Sequence, residues 1–264
     1  MRLATFIVAV AGFALAGCVG NTGGQTFTFP AAAAGPADAT GGALAFSTGG
    51  FDVTLSAATL HVGAVYLNQA APVSGAQATD CYLTGTYVGE VPCALDVDLL
   101  NGTAQPFTSC PTLSVTEPPA LAEQVWLTGG DINDPSDTTT ILSIAGTATG
   151  ATDTFAFSGT VTIGPNHTPS GNVTGGGDSI CKQRIVSPIR QAITIAPTGG
   201  LLLRIDPRLF FVDVDLGQLP ADAATGDRVF SDDPGATGYF PTGQNLYANL
   251  RSVAPYTFSW EGTP

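Results

Sequence analysis

Two five-residue segments of the chain repeat one pattern, Leu95-Asp96-Val97-Asp98-Leu99 and Val212-Asp213-Val214-Asp215-Leu216. On a strand, residues two apart share a face, so each segment would set two carboxylates side by side. Such pairs can hold a hard cation or, facing each other at about 5–9 Å, carry out glycoside hydrolysis. A strand with one face in water writes the same letters, and that is the simpler reading of both. A second concentration of oxygen is the loop GGDINDPSD at 129–137, where Asp131, Asn133, Asp134 and Asp137 could offer ligands to Ca²⁺. The loop is no EF-hand, because, counted from Asp131, Pro135 stands at the fifth position and no glycine follows at the sixth. A turn built on Asx side chains and proline explains the same composition. His61 in a predicted strand and His167 in a Pro/Gly-rich loop could share a Cu or Zn ion only through tertiary packing. No nucleophile elbow, zincin helix, phosphate loop or dinucleotide fingerprint is present. The expectation is a binding or structural protein rather than an enzyme, with no cofactor beyond a candidate Ca²⁺ and with a hydrolase drawing on Asp96, Asp98, Asp213 and Asp215 as the alternative.

The N-terminus says where such a protein works. Arg2 precedes an apolar run of 13 residues, Leu3 to Leu15, too short to span about 30 Å of hydrocarbon as a helix and of the length of a secretory signal. The run closes in Leu15-Ala16-Gly17-Cys18, which resembles the lipobox of bacterial lipoproteins. That resemblance covers residues 1–18 only. It implies removal of residues 1–17, a diacylglycerol on the Cys18 thiol, and an N-acyl chain, so that the membrane becomes a partner through two or more acyl chains, enough for durable anchoring. Val19, rather than Asp, follows the cysteine, and in lipoproteins of this kind that implies sorting to the outer membrane.

In an exported chain the remaining cysteines, Cys81, Cys93, Cys110 and Cys181, read as two disulfides with three possible connectivities. The expected pairing is Cys81–Cys93 across a short turn-rich loop and Cys110–Cys181 across the sheet region. No two of them sit in zinc-ligand spacing.

Charge excludes one class of partner. Eight Lys+Arg against 21 Asp+Glu give a net charge of −13, which repels nucleic acid. Apart from Arg2 every cation lies after position 181, so the 13 acids of residues 19–181 have no Lys or Arg in that stretch to pair with. They must face solvent, reach the C-terminal third, or bind a metal.

The elements that would position these groups are strands. With 33 Gly, 19 Pro, 14 Phe and only 11% charged residues, the chain suits short strands joined by tight turns. Residues 43–55 read as a glycine-turned hairpin, and residues 60–66 as a further strand after a bulge at 56–58. The cleanest alternation puts Phe155, Phe157, Val161 and Ile163 on one face. Asp206 before Pro207 predicts a capped helical turn. Leu246, Leu250 and Val253 give residues 244–253 the stripe of an amphipathic helix. The fold expected is all-β, an antiparallel β-sandwich of the immunoglobulin or jelly-roll kind, with one or two short helices near the C-terminus. Residues 1–17 form the signal peptide, 18–42 a lipidated flexible tether, and 43–264 a single domain; two small β-domains divided near 165–177 are the alternative. The function expected is that of a lipid-anchored envelope protein whose ligand, in the envelope or outside the cell, the sequence does not name.

Overall fold

The computed structural model describes residues 26–71, 87–108, 110, 114–116, 120–167, 180–231 and 241–262. The expected signal peptide at 1–17, Cys18 and Cys81 lie outside these residues, as does most of the candidate domain boundary at 165–177. The described chain is mostly strand, arranged in three sheets around a main core, with a second small cluster of Ala32, Ala34 and Leu202 on the other face of the sheet that holds them.

Sheet I has the order β1-β9-β6-β5-β10-β13, formed by Thr26–Thr28, Ser114–Thr116, Tyr87–Val91, Ala64–Asn68, Ala122–Trp126 and Ile185–Ile189. Sheet II has the order β15-β12-β11-β4-β3: Arg228–Ser231, Thr154–Thr162, Thr140–Thr149, Phe51–Val62 and Leu44–Thr48. Strand β7, Leu95–Asp98, continues the β3 edge along β4. Sheet III runs β16-β14-β2-β8: Tyr256–Glu261, Gly200–Ile205, Ala31–Ala34 and Gln105–Pro106. All pairings are antiparallel except β12 with β15 and β14 with β2.

The strongest sequence patterns fold as their periodicity dictates. Phe155, Phe157, Val161 and Ile163 all turn inward and are buried, while Thr154, Ala156, Ser158 and Thr160 face water. The bulge expected after Leu55 is present. Leu55 pairs with Gly146 and Ala57 with Ala145, so Ser56 is the extra residue and β4 runs on through it for 12 residues to Val62, while the strand expected over 60–66 divides at Gly63 between β4 and β5. Gly63 then turns the chain from sheet II into sheet I. A Cβ there would sit 2.2 Å from the Thr128 carbonyl oxygen, so only glycine fits the corner. Asp206 caps the 3₁₀ helix Pro207–Phe211 by accepting from the Arg208 N–H at 3.0 Å.

Three expectations are corrected. The segment read as tether contains β1 and β2, and Ala31–Ala34 is buried on both faces between β14 and β8. Asp38, further along it, is held by Arg208 at 2.8 Å. Alanine has low strand propensity, which is why this run reads as linker. It is nonetheless the side chain that fits a strand enclosed on both sides. The C-terminal helix, α2, spans Pro241–Leu250. Leu246 and Leu250 are buried as the stripe predicts, but Val253 lies past the helix end and is 45% exposed.

The third correction concerns the disulfides. Cys93 is bonded to Cys110, with Cα atoms 5.3 Å apart, which overturns the pairing of Cys81 with Cys93 and of Cys110 with Cys181. Strand pairing decides the partner, not distance along the chain. Strands β6 and β9 pair through Gly89 and Val115, and Cys93 and Cys110 lie just beyond β6 and just before β9, at the same end of sheet I. Cys181, fully buried in the short helix α1 (Ile180–Gln183), is also disulfide-bonded, to a cysteine outside the described residues.

Candidate functional site

The register of sheet I defines two ends. Thr26, Thr116, Tyr87, Asn68, Ala122 and Ile189 lie at one, where the chain enters. Thr28, Val91, Ala64, Trp126 and Ile185 lie at the other. From that second end rise the loop 129–137, the corner at Gly63, the last residues of β4 with β7 beside them, and the Cys93–Cys110 bond. Several of the residues singled out by chemistry converge here.

His61 ends β4, and its Nδ1 lies 2.6 Å from Asp96 Oδ1 on β7, the neighbouring strand. Its Nε2 lies 3.0 Å from the Thr128 carbonyl oxygen. Both partners are acceptors, so both contacts are hydrogen bonds only when each ring nitrogen carries a proton. The ring is thus held between two acceptors on neighbouring elements. It joins the end of sheet II to the start of the acidic loop.

In that loop the carboxylates are occupied by the loop's own backbone. Asp131 Oδ1 accepts from the Asn133 N–H at 2.9 Å. Asp134 Oδ1 accepts from the Ser136 N–H and Oγ at 2.8 and 2.6 Å, and the Ser136 hydroxyl is the main reason its pKa falls below the ordinary carboxylate value. Burial raises the pKa of Asp137, but bonds from Thr139 and Gly129 and the charge of Arg184 outweigh it and leave the net shift downward. These are successive Asx turns. Beneath them lies Arg184, fully buried, with Nε donating to Ile163 O at 2.7 Å and Nη1 to Asp131 O and Ile132 O at 3.0 and 3.2 Å. Burial pulls the Arg184 pKa down, and the charges of Asp137, Asp134 and Asp131 oppose that. A guanidinium thus takes the inward-facing carbonyls, leaving exposed carboxylates on an ordered rim. Among the described residues no three His, Cys, Asp or Glu side chains are grouped so as to hold a metal ion.

The two Asp-x-Asp segments fold differently and are not brought together. Asp96 and Asp98 lie on one exposed face of β7, as the alternation predicts. Asp98 Oδ1 accepts from the Leu100 N–H at 2.9 Å. Asp213 instead adopts a left-handed backbone, φ 55°. Asp215 caps the 3₁₀ helix Leu216–Gln218, bonding the Gly217 N–H and the Gln218 side chain. The second segment follows a capped helical turn and precedes another, so no strand forms there.

His167 lies beside Tyr247 of α2, ring centroids 3.9 Å apart and nearly parallel, with the Arg251 guanidinium 5.0 Å from the Tyr247 centroid. The Tyr247 hydroxyl lies 2.6 Å from Gln183 Oε1, and Gln183 Nε2 donates to the His167 carbonyl at 2.7 Å. His61 and His167 thus have different partners.

Other residues carry interactions that spacing did not reveal. On the face of sheet I turned away from Glu123, Tyr87, Tyr66 and Trp126 form a row with centroids 4.9 and 4.5 Å apart, and the Trp126 indole N–H donates to Gln124 Oε1 at 3.1 Å. Asn68 and Gln124 beside the row are fully buried with amide atoms lacking partners. On the inner face Glu123 is fully buried, and its Oε2 accepts from the Gln191 N–H at 3.3 Å while Oε1 has no partner. Burial raises its pKa to about 8. A polar residue inside an apolar run was the only signal for any of them. No protein-family model, curated protein or solved structure matches this chain.

Proposed function

We propose that this protein is a lipid-anchored module of the bacterial cell envelope, held to the outer membrane through Cys18, which binds a partner with the loops at the far end of sheet I. The carrying observation is the arrangement along that sheet. The chain enters at the Thr26 end, whereas the Asx-turn loop, ordered from beneath by Arg184, stands at the opposite end. A rigid scaffold that displays ordered loops away from its attachment point is suited to recognition. The exposed rim carries Asp131, Asp134 and Asp96, which favours a partner bearing cations, such as a lysine- or arginine-rich surface. The signal and lipobox at residues 1–18 support export and anchoring, and the Cys93–Cys110 bond is consistent with an oxidising compartment.

Fractionation of a Gram-negative host tests the anchoring. The wild-type chain is expected in the outer-membrane fraction and Cys18→Ser in the soluble periplasm or unprocessed. Wild type in the soluble fraction contradicts the reading. Titration with oligolysine tests the rim: binding weakens with salt and is lost in the Asp131→Asn/Asp134→Asn variant, and equal binding by both proteins removes the rim from the account.

A further inference from the structure

The structure shortens the leash. The sequence reading allows a tether of 18–42, but the fold already begins at Thr26, eight residues after Cys18. At about 3.3–3.6 Å per residue the link spans at most roughly 26–29 Å. With Cys18 acylated, so short a link keeps the Thr26 end of the domain within about 30 Å of the bilayer.

That end has the chemistry of a membrane interface. Of the three large hydrophobic side chains most exposed among the described residues, Leu121 at 50% lies here, immediately before β10. The strand opposite β10 continues from Ile189 into Arg190, an exposed cation. Arg184, Arg204, Arg208, Arg228 and Arg251 all bond protein groups, but Arg190 makes no ion pair or hydrogen bond among the described residues. Trp260, partly exposed, packs against Phe27 and Phe29 at centroid distances of 6.3 and 5.3 Å. Gln191, next to Arg190, accepts from the Phe258 N–H at 2.6 Å and so joins this strand to the one carrying Trp260. Leucine, tryptophan and an unpaired arginine are the side chains that settle at the boundary of headgroups and acyl chains. The acids Asp96, Asp131, Asp134 and Asp137 stand at the other end of sheet I, and the exposed Glu90 lies within the sheet, opposite Tyr66. The remaining two exposed hydrophobics, Val212 and Val253, lie beyond the far end of sheet III, past Ile205 and Tyr256.

We infer that the Thr26 end of sheet I is a bilayer-contact face, with Leu121 entering the headgroup layer, Trp260 and Phe27 at its surface, and Arg190 pairing with a lipid phosphate. This rests on the anchoring reading for its biological setting but is tested without it. A chain beginning at Val19 with an N-terminal hexahistidine is captured on vesicles of phosphatidylethanolamine, brominated phosphatidylcholine and a nickel-chelating lipid. Leu121→Trp is expected to lose the emission of its added tryptophan to the bromine, and Val212→Trp to keep it. Equal quenching of the two, or none in either, overturns the contact face whatever Cys18 carries. Hydrogen exchange of the unsubstituted chain on the same vesicles is the second readout: slowing confined to residues 120–123 and 189–193 supports the proposal, and slowing absent there counts against it. An unacylated Cys18 in native material would remove the anchor while leaving both vesicle results standing.

Discussion

Glu123 binds its proton far above the range of a carboxyl in an unfolded chain, with a folded pKa of about 8 against an ordinary 4.5. The cause is burial, opposed by hydrogen bonds from the backbone N–H groups of Gln191 and of Glu123 itself. A raised carboxyl pKa means that the folded state holds the proton more tightly. The resulting stabilisation is complete below about pH 4.5 and declines as pH rises through about 8. Glu123→Gln keeps the shape and removes the charge. It should melt close to wild type at pH 4 and above it at pH 9, by the equivalent of a few kcal/mol, and a constant difference across that range would refute the burial argument. Arg184 is the opposite case, a buried cation that serves three carbonyls. Arg184→Met should cost several kcal/mol in denaturant unfolding, because the carbonyls lose charged donors. It should also speed hydrogen exchange across 129–137 more than in β11 and β12. Neither role was legible in sequence. Glu123 and Arg184 each look like a lone polar residue near a strand, and only packing decides whether such a group meets water.

At the scale of elements, legibility followed the strength of the side-chain period. Residues 155–163 alternate large apolar with small polar groups, and that pattern has only one way to sit on a core. Ala31–Ala34 has no contrast between its faces and gave no such signal. Its fit is nonetheless tight: Ala33 is fully buried, and a Cβ on the following Gly35 would lie 2.2 Å from the Leu99 carbonyl oxygen. Ala33→Leu should therefore destabilise by about 1–3 kcal/mol through overpacking. A flexible tether would instead tolerate it without change in melting temperature. The paired Asp segments show the limit of reading letters. The first pairs with β4 and becomes a strand, while the second sits between two capped 3₁₀ turns. Local capping and available partners, not the five residues themselves, set the outcome. The candidate site was half legible: the loop 129–137 and His61 stood out by composition, but their meeting depends on the Gly63 corner.

Across the whole molecule, the cross-links and the proposed anchor suit the same oxidising compartment. The Cys93–Cys110 bond closes a loop of separation 17, for which chain entropy predicts a contribution of about 3 kcal/mol. Cys93→Ser/Cys110→Ser should lose roughly that much, and an unchanged melting temperature would show the bond to be idle. If Cys18 carries lipid, Cys81 is the cysteine left for Cys181, so non-reducing peptide mapping should recover a Cys81–Cys181 peptide. The anchor itself has the most direct test, the mass of the mature N-terminal peptide from native material. A chain beginning at Cys18 and heavier by a diacylglyceryl group and an acyl chain is the predicted result. An unmodified Cys18, or a chain still beginning at Met1, would contradict the account of where this molecule works and of which end faces its membrane.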